Sequence, residues 1–88
     1  MRVAVAFSAR ALRDLKRADE STRRRITEAL ERYASTQVGE VKRLRGSSRP
    51  TWRLRVGDWR VLFARKPGEK LIEVVRVAHR SQVYRRPS

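Results

Sequence analysis

The sequence predicts an α+β fold, in which an N-terminal strand and a two-helix hairpin pack on a small, mainly antiparallel sheet. Two observations carry this prediction. In residues 9–34, two segments with apolar residues at helical spacing are joined by a very short connection. In residues 51–65, apolar residues alternate with arginines on both sides of a Gly57-Asp58 turn. The expected order is strand, helix, helix and three strands (β-α-α-β-β-β), with one face of the sheet partly open.

The N-terminal half begins with a strand over residues 2–7, where apolar side chains alternate. Ser8 is a suitable N-cap for a first helix over residues 9–17. Asp19 supplies the negative charge that is favoured at the start of a second helix. The buried stripe of that helix is predicted to be Ile26, Ala29, Leu30, Tyr33 and Ala34.

The hairpin separates two kinds of side chain. A two-residue turn at Gly57-Asp58 places Arg55 opposite Arg60, because the strands then pair outwards from the turn. One face then carries Trp52, Leu54, Val56, Trp59, Val61 and Phe63. The other face carries Arg53, Arg55 and Arg60. Like charges directly opposite each other destabilise a sheet, so this pairing indicates a surface that binds an anion.

Strands are predicted over residues 51–56, 58–65 and 71–78, whereas the segment from 35 to 50 is predicted to be a loop. Val74 and Val75 adjoin in the last strand, which indicates an interior strand covered on both faces. Its register stays open at this point. A four-residue turn before the strand puts Val75 and His79 on the face of Arg60, and a bulge reverses this.

Length and composition indicate one basic domain. The 88 residues allow a single domain, residues 1–88, with a small core. The formal net charge of +14 indicates a polyanionic partner. The abundance of arginine favours RNA as that partner, because the planar guanidinium holds phosphate and stacks on bases. A GC-rich genome also favours arginine codons. No apolar run approaches the roughly 20 residues of a membrane span, and no secretory signal is recognised. The absence of cysteine excludes disulfides and zinc–thiolate sites, and we expect a cytoplasmic protein.

In the order and spacing of its segments, the chain resembles the RelE/ParE superfamily of toxins from bacterial type II toxin–antitoxin systems. The resemblance rests on the opening strand, the helical hairpin and residues 42–46, 52–61 and 77–84. His79, Arg80 and Tyr84 look like the terminal arrangement of the RelE branch. This implies an enzyme that cuts messenger RNA in the ribosomal A site without metal or cofactor. It also implies an acidic antitoxin as partner, through which alone the toxin would join operator DNA.

The resemblance also assigns roles residue by residue. Arg53 and Arg55 fall where the best-known member carries two lysines, and they are assigned to phosphate binding because arginine does not release its proton. Two further basic residues, Lys42 and Arg45, join them as RNA-binding candidates.

Four residues are the catalytic candidates. Arg60 and Arg80 would stabilise the charge of the transition state. Proton transfer then falls to His79, whose unperturbed pKa of about 6.5 suits an acid or a base near neutrality. Tyr84 would be its partner or a stacking platform.

Two other functions fit the same resemblance. A ParE-like toxin would inhibit DNA gyrase by binding, and an inactive homologue would only bind the antitoxin. Individual residues also have plain structural interpretations: the strand arginines as solvent-facing side chains, Tyr84 as a hydrophobic contact of the tail, and Trp52 and Trp59 as core.

Overall fold

The computed structural model describes residues 3–44, 51–65 and 70–81 of the chain. Two helices and five strands follow one another as β1 (Ala4–Phe7), α1 (Ala9–Arg17), α2 (Glu20–Thr36), β2 (Glu40–Leu44), β3 (Thr51–Val56), β4 (Trp59–Arg65) and β5 (Leu71–His79). The strands form one sheet in the order β1-β5-β4-β3-β2. The β1–β5 pair is parallel, and the other three pairs of these strands are antiparallel. The α+β class and the helical hairpin are confirmed.

Side-chain caps set the ends of both helices. Ser8 Oγ accepts the N–H of Ala11 at 3.0 Å and donates to the Val75 carbonyl at 3.1 Å, so it also ties α1 to β5. Asp19 accepts the N–H of Thr22 at 3.0 Å and begins α2 only two residues after α1 ends. Gln37 ends α2 in the left-handed region, at φ 63°. The predicted cap at Ser8 and the predicted position of Asp19 at the start of the second helix are confirmed.

The cap at Asp19 makes helix stability depend on pH. Its hydrogen bonds with the side chain and backbone of Thr22 lower the pKa of the carboxyl below 3.8. A lowered pKa means that the folded state favours the ionised form, so the stabilisation is full at neutral pH and is lost as the pH falls through the folded-state value. We expect Asp19→Ala to lower the melting temperature at pH 7 and to leave it unchanged in acid. Thermal unfolding followed by circular dichroism measures this, with Glu28→Ala as the control. A melting temperature of Asp19→Ala that is lowered by the same amount at all pH values would contradict the role of the ionised cap.

The core lies between the helices and one face of the sheet, here called the helix face. Phe63 is fully buried there, with its ring 5.6 Å from that of Tyr33 and 6.2 Å from that of Trp52. Trp52 and Trp59 are half-buried against this core, as predicted for structural tryptophans. The remaining large, fully buried side chains are Ile26, Leu30, Leu54, Val61, Ile72, Val74 and Val77.

The loop prediction for residues 35–50 is wrong in part, because β2 occupies Glu40–Leu44. It pairs antiparallel with β3 and forms one edge of the sheet. Val41 lies opposite Leu54 and packs against the core, whereas charged residues fill most of the other positions of this strand. Charge is typical of edge strands and weakens the apolar alternation by which a strand is recognised.

A bulge in β5 settles the register that the sequence left open. Leu62 lies opposite Arg76, but its neighbour Phe63 lies opposite Val74, so Val75 is the inserted residue. The bulge explains why two valines adjoin in this strand. It also places His79 opposite Trp59, on the helix face.

Asp14 of α1 supports the strand next to this bulge. Its carboxylate is largely buried, at 12% exposed, and accepts the backbone N–H of Val77 at 2.9 Å. Asp14→Ala is expected to destabilise the fold by about 2 kcal/mol, because it removes a charged acceptor from a part-buried N–H. Urea unfolding measures this, with the exposed Glu31→Ala as control. A loss below about 0.5 kcal/mol, the range of ordinary surface substitutions, would show that the contact is dispensable.

Within the residues that the structure describes, no helix combines the length and the apolar character needed to cross a membrane.

Candidate functional site

The face of the sheet opposite the helices, here called the open face, carries a groove rich in arginine. The groove has a volume of about 250 Å³. Its lining residues come from β2, β3 and β4, and they are Glu40, Val41, Lys42, Arg53, Arg55 and Arg60. The structure therefore brings together four of the basic residues predicted for the site.

Strand register creates this concentration of charge. Arg55 lies directly opposite Arg60, and Lys42 lies directly opposite Arg53. The register follows from the Gly57-Asp58 turn, where Gly57 has the positive φ of 60° that a two-residue hairpin turn needs at its first position. The pairing predicted for this hairpin is confirmed.

Arg60 is the unusual member of the groove. It is only 7% exposed, and its Nη1 has no hydrogen-bond partner among the described residues. No carboxylate of that part of the chain forms an ion pair with it. A buried charge without a partner costs several kcal/mol in a folded protein. The arrangement has the character of a site completed by a bound anion.

Two further arginines hold the turn of the hairpin. Arg55 donates from Nε to the Gly57 carbonyl at 3.3 Å. The backbone N–H of Arg80 donates to the Asp58 carbonyl at 2.7 Å, and its Nη1 lies 3.9 Å from Asp58 Oδ1. Arg80, Arg55 and Arg60 thus meet at the same end of the hairpin.

His79 does not share the open face with these arginines. It lies opposite Trp59, with the two rings 5.2 Å apart in an edge-to-face arrangement, whereas Arg60 lies opposite Ala78. Its Nδ1 is 3.0 Å from the Ser81 hydroxyl. His79 lines a separate cavity of about 290 Å³ with Asp14, Arg17, Trp59, Val77 and Ser81. Of the two placements left open by the sequence, the bulge selects the one away from Arg60.

Two predicted site residues, Arg45 and Tyr84, lie outside the described residues. Sequence reasoning also missed two residues of the open face. Glu40 was missed because the sequence predicts a loop at the position of β2. Arg76 lies on the open face opposite Leu62 because of the bulge in β5. The adjoining valines are only a weak signal for this bulge in the sequence.

No three histidine or acidic side chains come close enough to hold a metal ion within the described ranges.

A family model described as "ParE toxin of type II toxin-antitoxin system, parDE" matches residues 5–84 of the chain. Among curated proteins, no sequence matches. The fold is similar to those of several toxins whose structures have been solved, alone or in complex with an antitoxin.

The archaeal RelE–RelB complex from Pyrococcus horikoshii matches with a TM-score of 0.76 and 22% identity, covering 93% of this chain and 99% of that chain. The RelBE2 toxin–antitoxin complex from Mycobacterium tuberculosis matches with a TM-score of 0.75 and 27% identity, covering 91% and 100%. The isolated RelE toxin from E. coli matches with a TM-score of 0.64 and 24% identity, covering 93% and 90%.

Proposed function

The chain belongs to the ParE toxin family of type II toxin–antitoxin systems, within the RelE/ParE superfamily, and on that premise we propose that this toxin is an endoribonuclease that cleaves messenger RNA on the ribosome. The observation that carries the proposal is the buried Arg60, without a partner among the described residues and set among further basic side chains on the open face. A phosphodiester supplies the anion that this guanidinium lacks.

The proposed reaction uses the RNA's own hydroxyl as nucleophile. The 2′-oxygen attacks the adjacent phosphorus and forms a new P–O bond, and the bond between phosphorus and the 5′-oxygen breaks. A base removes the proton of the 2′-hydroxyl, and an acid gives a proton to the departing 5′-oxygen. The products are a 2′,3′-cyclic phosphate and a 5′-hydroxyl.

The arginines have two proposed roles, which are binding of the phosphate backbone and stabilisation of the transition state. Arg53 and Arg55 line the groove on β3 and are proposed to hold and orient the phosphate backbone, with Lys42 beside them on β2. Arg60 is proposed to stabilise the charge that develops on phosphorus, because it is already desolvated and needs no reorganisation during the reaction. Arg80, exposed at the hairpin turn, would support it from the end of the groove.

Proton transfer is proposed for residues that do not line the arginine groove. His79 ends β5 directly before Arg80, whose backbone N–H donates to the Asp58 carbonyl, so His79 lies at the same end of the sheet as the Arg55–Arg60 pair. We assign proton transfer to His79, with Tyr84 of the tail as its partner. Glu40 is the one carboxylate among the groove's described lining residues and is the alternative acceptor.

The proposed partners follow from the same surface. The solved complexes from Pyrococcus horikoshii and Mycobacterium tuberculosis contain a toxin with its antitoxin. An acidic antitoxin that covers the groove would neutralise part of the +14 charge and block RNA. Operator DNA would be reached only through that antitoxin, and the cytoplasm, where messenger RNA is translated, is the expected site of action.

Inhibition of DNA gyrase is the second candidate function. It is favoured by two observations: the matching family model is the ParE one, and the single histidine lies on the face of the sheet opposite the arginine groove. In this alternative the open face binds a protein or DNA and cleaves nothing. An inactive, antitoxin-binding homologue would share the same surface.

Expression of the chain without an antitoxin separates these functions. Cleavage of messenger RNA stops incorporation of labelled amino acids first, while plasmid supercoiling stays normal. Gyrase inhibition reverses that order and induces the response to DNA damage. Growth unaffected at a verified level of folded protein would contradict both and leave the inactive homologue.

A further inference from the structure

A continuous row of side chains crosses the open face at right angles to the strands. Register places Lys42 opposite Arg53, Arg53 opposite Leu62, and Leu62 opposite Arg76. Residues directly opposite each other share a face, so this row runs from the edge strand β2 to β5. Four strands spaced by about 4.8 Å give the row a length of about 14 Å. It is therefore longer than the contact surface of a single phosphate group.

Arg76 repeats, at the far end of this row, the feature that marks Arg60. Its Nε is buried and has no hydrogen-bond partner in the described part of the chain, as is the case for Nη1 of Arg60. Arg60 lies opposite Ala78, two residues along β5 from Arg76, so the two arginines occupy diagonal positions on neighbouring strands. Diagonal neighbours are about 7–8 Å apart, a distance that two long side chains can bridge through a shared ligand.

The neighbouring carboxylates do not neutralise this pair. Glu73 lies on the same face through its pairing with Ala64, and Glu40 lies at the other end of the row of Arg60. Neither forms an ion pair with Arg60 or Arg76 among the described residues. Two buried guanidinium N–H donors without an acceptor are costly, and one anion placed between them would satisfy both.

We propose that Arg76 adds a second phosphate subsite, which shares the Arg60 guanidinium with the scissile phosphate and holds the backbone of a single RNA strand as it crosses the open face from β2 towards β5. The inference rests on the proposed function and extends it, because it gives the RNA a direction across the sheet and contacts to more than one phosphate. The half-buried Leu62 lies in the row between the cationic positions Arg53 and Arg76 and offers an apolar surface to a sugar or base there.

The test measures binding of a labelled, single-stranded 2′-O-methyl RNA by fluorescence anisotropy at several salt concentrations, since this RNA lacks the attacking hydroxyl. Arg76→Gln is expected to weaken binding about 10-fold and to reduce the slope of log K against log salt by about 0.7, as for one lost phosphate contact. Arg60→Gln should do at least as much. Arg43→Gln is the matched control, because Arg43 lies over Trp52 on the helix face.

The outcomes separate this inference from the proposed function. If Arg60→Gln lowers the salt slope and a folded Arg76→Gln does not, the second subsite is wrong and the RNA site stands. If the wild-type protein binds no RNA, the second subsite is wrong, and cleavage on the ribosome is decided by mapping the 5′ ends of a translated messenger. If a polyglutamate peptide of equal length loses more affinity than RNA on Arg76→Gln, the subsite serves an acidic peptide and the RNA assignment is overturned. Arg76→Lys, which keeps the charge, should retain the slope and bind less tightly, and it replaces Arg76→Gln if that variant does not fold.

Discussion

Replacing Arg60 with glutamine is expected to lower messenger cleavage about 100- to 1000-fold, as for the loss of one preorganised donor to a developing oxyanion. The same substitution should leave the melting temperature unchanged or raise it. Arg60 is 7% exposed and has no ion pair in the described structure, so its removal relieves a buried charge that nothing there compensates. Loss of activity together with retained stability is the signature of a residue kept for its ligand.

Arg65→Gln is the matched control for this experiment. Arg65 belongs to the same strand, lies on the other face of the sheet, and donates to Gln37 Oε1 at 2.8 Å. It should retain cleavage within about twofold, with at most a small loss of stability, as for other surface substitutions. Arg60→Gln with full cleavage activity, or with activity lost only in proportion to unfolding, would contradict the assigned role.

Replacing His79 with alanine is expected to lower the rate of cleavage about 100-fold or more, the usual contribution of a positioned acid or base. Single-turnover cleavage by the wild-type and variant proteins at equal concentrations tests this expectation. Ser81→Ala is a useful companion, because it removes the hydroxyl 3.0 Å from Nδ1 and keeps the ring.

A His79→Ala variant with full activity would reassign the proton to another group. Glu40→Gln then tests the carboxylate in the groove, and Tyr84→Phe tests the tail. Since His79 packs against Trp59 on the helix face, its loss also has a structural component, and cleavage has to be compared at equal fractions of folded protein.

The sequence was sufficient wherever structure is decided by neighbours along the chain. Two residues of turn fix the pairing of Arg55 with Arg60, and the caps Ser8 and Asp19 fix where the helices begin. The family resemblance agrees with the matching family model and with the solved toxin folds. The choice between the RelE and ParE branches remains a prediction.

The sequence was insufficient where structure depends on distant contacts. The strand β2 is a charged strand at the edge of the sheet, paired with β3, and its own pattern does not identify it. The bulge of β5 lies beside a hydrogen bond between Val77 and Asp14, which are 63 residues apart. This bulge decides that Arg76 faces the groove and that His79 does not, and the adjoining valines are only a weak local signal for it.

The central claim, that the open face cleaves messenger RNA, is tested most directly by mapping 5′ ends on a defined messenger incubated with the purified protein, with and without translating ribosomes. The account predicts new 5′-hydroxyl ends in register with codons, present only when ribosomes translate, and absent with Arg60→Gln. No new ends under either condition, from protein that is folded and arrests growth, would contradict it and direct the next experiment to DNA supercoiling by gyrase.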